Sequence, residues 1–129
     1  MTAIAAHPVL ATVPRELFIN GAWVDSSDAQ RFDVVDPSTG ETFASVADGS
    51  VADGLSAVSA AAGALASWSA TPARQRGEVL RRAYELMTQR NEDLARLIVL
   101  ENGKALSDAR GETSYAAEFF RWFGEEAVR

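Results

Sequence analysis

The side chains in this 129-residue sequence that could do acid–base or nucleophilic chemistry are not spaced to do it together. Glu125 and Glu126 are adjacent, so on a helix they point about 100° apart and do not converge on one substrate atom. Glu101 and Glu112 meet only if the fold happens to bring them together. His7 is the single histidine; with no second ligand nearby it supports neither a Ser/His/Asp arrangement nor a metal site, and it reads as an exposed side chain. The chain has no cysteine, which excludes disulfides, thiolate ligation and thiol nucleophiles within these residues. No Gly-x-Gly-x-x-Gly or P-loop cradle occurs, and residues 36–41 read as a turn. The expectation is no catalytic residue, no cofactor-binding residue and no metal ligand. Trp23, Trp68 and Trp122 read as core or interface anchors before ligand stackers.

The elements that would position any site are clearly patterned. Residues 1–15 lack a period and read as a flexible arm. Leu17–Ile19 and Ala22–Val24 flank Asn20-Gly21, a hairpin signal because both turn positions need positive φ. A second hairpin pairs 31–35 with 42–46, with Pro37 presetting a turn and Gly40 supplying a left-handed position. At Asp48-Gly49-Ser50 the period changes from 2 to about 3.6, with Ser50 as N-cap and Asp53 three residues on. Val51, Leu55, Val58, Ala62 and Leu65 then share one helical stripe, with Trp68 expected as a plug at its end. Thr71 and Pro72 are expected as N-cap and first residue of a second helix, whose buried face is Val79, Leu80, Ala83, Leu86 and Met87. Asn91 is expected to cap a third helix carrying Leu94, Leu97 and Ile98, which stops at Gly103. A last helix is expected from about Leu106 to beyond Arg129. Its Tyr115, Phe119, Phe120, Trp122 and Phe123 cover an arc of roughly 160°. An ordinary surface helix needs only about 100°, so contact with two neighbours is expected on that side, the second of them polypeptide that these residues do not supply.

Composition bounds the class. A chain of this length corresponds to about one domain with a real core. Apolar residues make up 47 % and charged residues 23 %, which argues against disorder. The net charge of −6 favours solubility and disfavours nucleic acid or an anionic membrane as partner. No apolar run approaches a membrane span and no signal peptide is evident, so a cytoplasmic location is expected.

The segments Leu17–Val24 and Asp36–Glu41, in that order, resemble the first two hairpins of the NAD(P)-dependent aldehyde dehydrogenase superfamily. Trp68, the arginine-rich stretch from Pro72 to Leu86, and Glu101 to Lys104 extend the likeness. Gly111 to Ala117, Phe119, Trp122, Phe123, Glu125 to Ala127 and Arg129 are most similar to succinate-semialdehyde dehydrogenases. The resemblance implies an α/β fold: antiparallel hairpins followed by about four helices, an incomplete, N-terminal part of a Rossmann-type cofactor-binding domain spanning 16–129. It implies oxidation of an aldehyde, succinate semialdehyde foremost, through a cysteine thiohemiacetal, hydride transfer to NAD or NADP, and thioester hydrolysis by a glutamate-activated water. The cysteine, the glutamate and the Pro-Trp-Asn-Phe-Pro loop of the family lie beyond positions matching Arg129. By the same likeness Gly111, Tyr115, Phe119 and Trp122 would line one wall of the aldehyde tunnel, and the complete protein would be a homo-oligomer.

From the residues alone, a self-contained, non-catalytic α/β interaction module, or a truncated relative, stays open. That module would melt cooperatively and bind little hydrophobic dye. A piece of a dehydrogenase would expose the aromatic side of its last helix.

Overall fold

A computed structural model describes residues 8–129; His7 and the first six residues of the arm lie outside them. The chain falls into two compact units, residues up to Ala70 and Thr71–Arg129, each taken in turn.

Within the arm, Pro8–Ala11 forms a short 3-10 turn that buries Val9 and Leu10. Strands β1 (Leu17–Ile19) and β2 (Ala22–Val24) pair antiparallel. Asn20 and Gly21 join them at φ 52° and 79°, the left-handed pair that a two-residue hairpin requires. Phe18 stands opposite Trp23, ring centroids 4.9 Å apart. Strands β3 (Arg31–Val35) and β4 (Thr42–Ala47) form a second two-stranded sheet, β4 one residue longer than expected, with a register shift between Val34 and Val35.

The turn between β3 and β4 is built by Asp36. Its Oδ1 accepts the Ser38 amide and the Ser38 hydroxyl, each at 2.7 Å, and its carbonyl accepts the Gly40 amide at 2.8 Å. Gly40, at φ 74°, turns the chain back. Arg31 ties this hairpin to its surroundings: its guanidinium donates to Asp25 Oδ1 at 2.7 Å and to the Ser45 and Arg15 carbonyls at 3.1 and 3.3 Å.

Helix α1 (Val51–Ala70) closes the first unit and packs on β1. Its start is the expected reciprocal cap. The Ser50 amide and hydroxyl donate to Asp53 Oδ2 at 2.9 and 2.8 Å, and the Asp53 amide donates back to Ser50 Oγ at 3.2 Å. Asp53 also accepts from the Ser26 hydroxyl and the Ser27 amide, so one buried carboxylate both caps α1 and pins the loop after β2. These donors, the Ser50 hydroxyl first, hold its carboxyl down at about 2. The apolar stripe of α1 has the expected spacing but no cover: Val51, Leu55, Val58 and Leu65 are 64–83 % exposed. Trp68, 45 % exposed, is no plug, and Trp23 and Trp122 are not core either, at 54 % each.

The second unit is three helices: α2 (Ala73–Gln89), α3 (Asn91–Asn102) and α4 (Leu106–Glu126). Helix α2 starts one residue later than expected, with Pro72 rather than Thr71 in the cap position; the Pro72 carbonyl takes the Gln75 and Arg76 amides. Its expected inner face is half-buried at Leu80, Ala83, Leu86 and Met87, whereas Val79 is exposed. Helix α3 ends as expected at Gly103, φ 69°, whose amide donates to the Val99 carbonyl at 2.9 Å. Its start differs. Arg90 occupies the cap and Asn91 is the first helical residue, because the Asn91 side chain is drawn to α4 instead. Helix α4 stops at Glu126 rather than running through Arg129, and the Arg129 amide closes a turn on the Glu126 carbonyl.

Candidate functional site

Helix α4 carries all the residues expected to meet a substrate, so its seating comes first. Asn91 Nδ2 donates to Thr113 Oγ1 at 2.6 Å, to Ser114 Oγ at 3.1 Å and to the Arg110 carbonyl at 3.4 Å. One turn along, the Arg110 guanidinium grips Glu92 with two bonds of 2.7 and 2.9 Å. That pairing holds the Glu92 carboxyl below its usual range and raises Arg110. Lys104, in the connection between α3 and α4, pairs with Glu112.

The inner side of α4 is made of small residues. Ala109, Thr113 and Ala117 are buried, each four residues from the next, the spacing of one helical face. Further on, Gly124 meets Gly77 of α2. A methyl group added at Gly77 would stand 2.8 Å from the Gly124 carbonyl oxygen. The Gly77 carbonyl lies 3.3 Å from where a Gly124 side chain would begin. Two helices approach this closely only where both lack side chains.

The aromatics therefore do not fill the bundle, and they stand exposed as expected of a helix whose wide arc finds no second neighbour within these residues. Alanine, threonine and glycine make the contacts to α2 and α3, because they allow the backbones closer than a ring would. Tyr115 is 68 % exposed, Phe119 48 %, Trp122 54 % and Phe123 56 %. Tyr115 and Phe119 meet edge to face, centroids 4.9 Å apart at 82°. With Glu118, Arg121, Trp122 and Phe123 they border one open groove of about 420 Å³. Gly111 is exposed on the same side, about one turn before Tyr115, and a Cβ there would meet nothing within 4 Å. The structure thus sets Tyr115, Phe119 and Trp122 on one groove; Gly111 is not among its lining residues.

That groove offers contact rather than chemistry. Its charged members are engaged along their own helix: Arg121 donates to Glu118 at 2.6 Å and to Glu125 at 2.7 Å. The other carboxylates that the sequence raised are placed just as plainly. Glu126 pairs with Arg129 at 2.9 Å. Glu101 and Glu112 do border one groove, between α3 and α4, but Glu112 is the partner of Lys104. Among the described residues no group of three His, Cys, Asp or Glu side chains could hold a metal ion.

Three of the helix starts do not suit a nucleotide phosphate: Asp53 already fills that of α1, and Glu92, Asp93 and Asp108 place negative charge in the first turns of α3 and α4. No helix is long and apolar enough to cross a membrane among the described residues.

Sequence reasoning missed Asn91 as a tether and the pairing of Gly77 with Gly124. The second had a signal: a glycine inside an otherwise regular helical pattern marks a close backbone approach.

Residues 23–129 match the aldehyde dehydrogenase family. A glutarate-semialdehyde dehydrogenase of Pseudomonas aeruginosa is 44 % identical over 115 residues, covering 89 % of this chain and 24 % of its own. An NADP(+) succinate-semialdehyde dehydrogenase of Escherichia coli is 41 % identical over 115 residues, again 89 % of this chain and 24 % of its own. The crystal structure of a betaine aldehyde dehydrogenase mutant of Staphylococcus aureus in complex with NAD+ superposes with a TM-score of 0.91 at 28 % identity, over 94 % of this chain and 25 % of that one. The chain spans about a quarter of the length of these relatives. A match over most of the sequence, together with hairpins and helices that follow the same course as a solved relative, shows that this chain belongs to the aldehyde dehydrogenase family.

Proposed function

We propose that the chain serves NAD(P)-dependent oxidation of a semialdehyde, succinate semialdehyde foremost, to its carboxylate, as the N-terminal part of a longer polypeptide. The observation that carries this reading is the family match over residues 23–129, which draws in semialdehyde dehydrogenases of several organisms. The oxidation adds the oxygen of one water and releases a hydride to the dinucleotide and two protons to solvent, so it needs a nucleophile, a base and a dinucleotide site. None of these is assigned to residues of this chain, which has no cysteine.

What the chain contributes is shape. In this reading Gly111, Tyr115, Phe119 and Trp122 form one wall of the aldehyde passage, supported by the groove that the three aromatics share and by their exposure. Flat, rigid side chains bind the carbon chain of a small substrate and keep water from it at low entropic cost. Gly111 leaves room where a side chain would narrow the passage. The same reading takes the functional protein as a cytoplasmic homo-oligomer, on the strength of the family.

The test is to express the coding frame through and past Arg129 and follow reduction of NAD+ and of NADP+ with succinate semialdehyde, glutarate semialdehyde and betaine aldehyde. Faster turnover of a semialdehyde is expected, with Trp122→Ala raising KM more than it lowers kcat. A frame that encodes no cysteine, or no reduced cofactor with any aldehyde, overturns the reading.

A further inference from the structure

The exposed aromatics of α4 are held from behind by the Gly77–Gly124 crossing, and we propose that these two glycines are positioning residues that set substrate selectivity without touching substrate. The inference rests on the reading of α4 as a passage wall. Gly124 follows Phe123 directly, and Trp122 stands one residue further back, so the crossing lies at the aromatic end of the helix. Gly77 lies near the start of α2 and is itself buried. A methyl group there would lie 2.8 Å from a backbone oxygen and 3.8 Å from the Ala127 Cβ. The close atom belongs to the backbone, so no side chain can swing away; α4 itself has to move off α2.

Helix geometry gives the direction in which such a move is felt. Counting about 100° per residue, the inner stripe of Ala109, Thr113, Ala117 and Gly124 centres roughly 160° from the line through Tyr115, Phe119 and Trp122. Lifting α4 from α2 therefore pushes its aromatic side toward whatever faces it. The other tethers resist unevenly. Asn91 and Arg110 hold α4 near Thr113 and Glu92, in the first half of the helix. The second half has the glycine contact and lies further from those bonds, so displacement concentrates at Trp122 and Phe123. Gly124→Ala is the milder change, since its new methyl would meet atoms at 3.3, 3.5 and 3.6 Å.

The experiment compares Gly77→Ala, Gly124→Ala and the parent, each in the polypeptide that carries this chain, on succinate semialdehyde and on butanal. The expected result is a change of about threefold to tenfold in the ratio of kcat/KM between the two aldehydes for Gly77→Ala, a size in keeping with sub-ångström misplacement of a binding wall. Gly124→Ala moves the same ratio in the same direction by less, and Gly77→Ser behaves like Gly77→Ala. Tryptophan emission, taken as the difference from a Trp122→Phe partner of each variant, shifts for Trp122 in Gly77→Ala.

A selectivity ratio and a Trp122 spectrum that both stay at the parent values, however much stability is lost, overturn the inference. If Gly77→Ala does not fold, an unmoved ratio in Gly124→Ala does so. A parent protein inactive on both aldehydes overturns the functional reading instead, and the Trp122 spectrum then still reports whether the crossing sets the aromatic wall.

Discussion

Asn91 reaches from the first turn of α3 to Thr113 on α4, and its side-chain amide meets the threonine hydroxyl at 2.6 Å. Thr113 is 5 % exposed and sits in the middle of the stripe that seats α4. Its oxygen also donates to the Arg110 carbonyl at 3.0 Å, so one hydroxyl both receives the tether and closes onto its own helix. Replacing Asn91 by Ala leaves that buried oxygen without its donor. We expect a loss of about 1–2 kcal/mol in denaturant unfolding. In a double-mutant cycle the second substitution, Thr113→Val, should cost much less once Asn91 is gone. Fully additive losses would show that the two side chains act separately.

Ser50 is the cap of α1, and Ser50→Ala removes two of its bonds to Asp53. The expected cost is about 1 kcal/mol. Ser50→Asn, which also caps well, should restore most of it, and a thermal melt of the three proteins reads the difference.

The pH dependence follows from Asp53. Its carboxyl is held at about 2 by the Ser50 hydroxyl and by amides of Ser27 and Ser50, below the ordinary 3.8. A carboxyl depressed by folding contributes stability that is whole above the ordinary value and is lost as pH falls through the depressed one. Denaturant midpoints measured from about pH 5 to about pH 2 should fall more steeply for the parent than for Asp53→Asn. Parallel curves would place the acid sensitivity elsewhere.

Two glycines with opposite backbone angles should respond oppositely to the same methyl group. Gly103 ends α3 at φ 69°, and Gly103→Ala forces a side chain into the left-handed region at a cost of about 1 kcal/mol. Gly63, inside α1, has open space where its Cβ would be. Gly63→Ala is expected to stabilise by about 0.5–1 kcal/mol, through helix preference and a less free unfolded chain. Melting temperatures moving the same way would contradict the assigned geometry.

The wet aromatic side of α4 gives a direct readout in the 129-residue chain. A hydrophobic dye should bind, and replacing Phe119, Trp122 and Phe123 by serine together should lower its fluorescence several-fold, to about that of a chain without a large apolar patch. Replacing Leu80 and Leu86 instead should raise it, because loosening the bundle exposes more.

The hairpins and helix stops were legible because their signals are local. Asn20-Gly21 and Gly103 need left-handed angles, and Ser50 with Asp53 closes a cap within four residues; such features do not depend on distant chain. Asn91 was misread for the opposite reason. Its preference for a cap is a short-range property, and hydroxyls some twenty residues away competed for the same amide and won. The inner side of α4 was not singled out because small residues carry little apolar signal, yet Ala109, Thr113, Ala117 and Gly124 let backbones come closer than any ring allows. In the candidate site the shared groove of Tyr115, Phe119 and Trp122 follows from helical spacing, whereas Gly77 behind it could be found only in three dimensions.

Because the bundle is joined through alanine, threonine and glycine, the outer rings of α4 do not themselves hold the three helices together. Tyr115, Phe119 or Trp122 can be exchanged for residues of other sizes with little repacking on the inner side. That arrangement leaves an evolutionary degree of freedom: one surface of the helix can drift while the other stays constant.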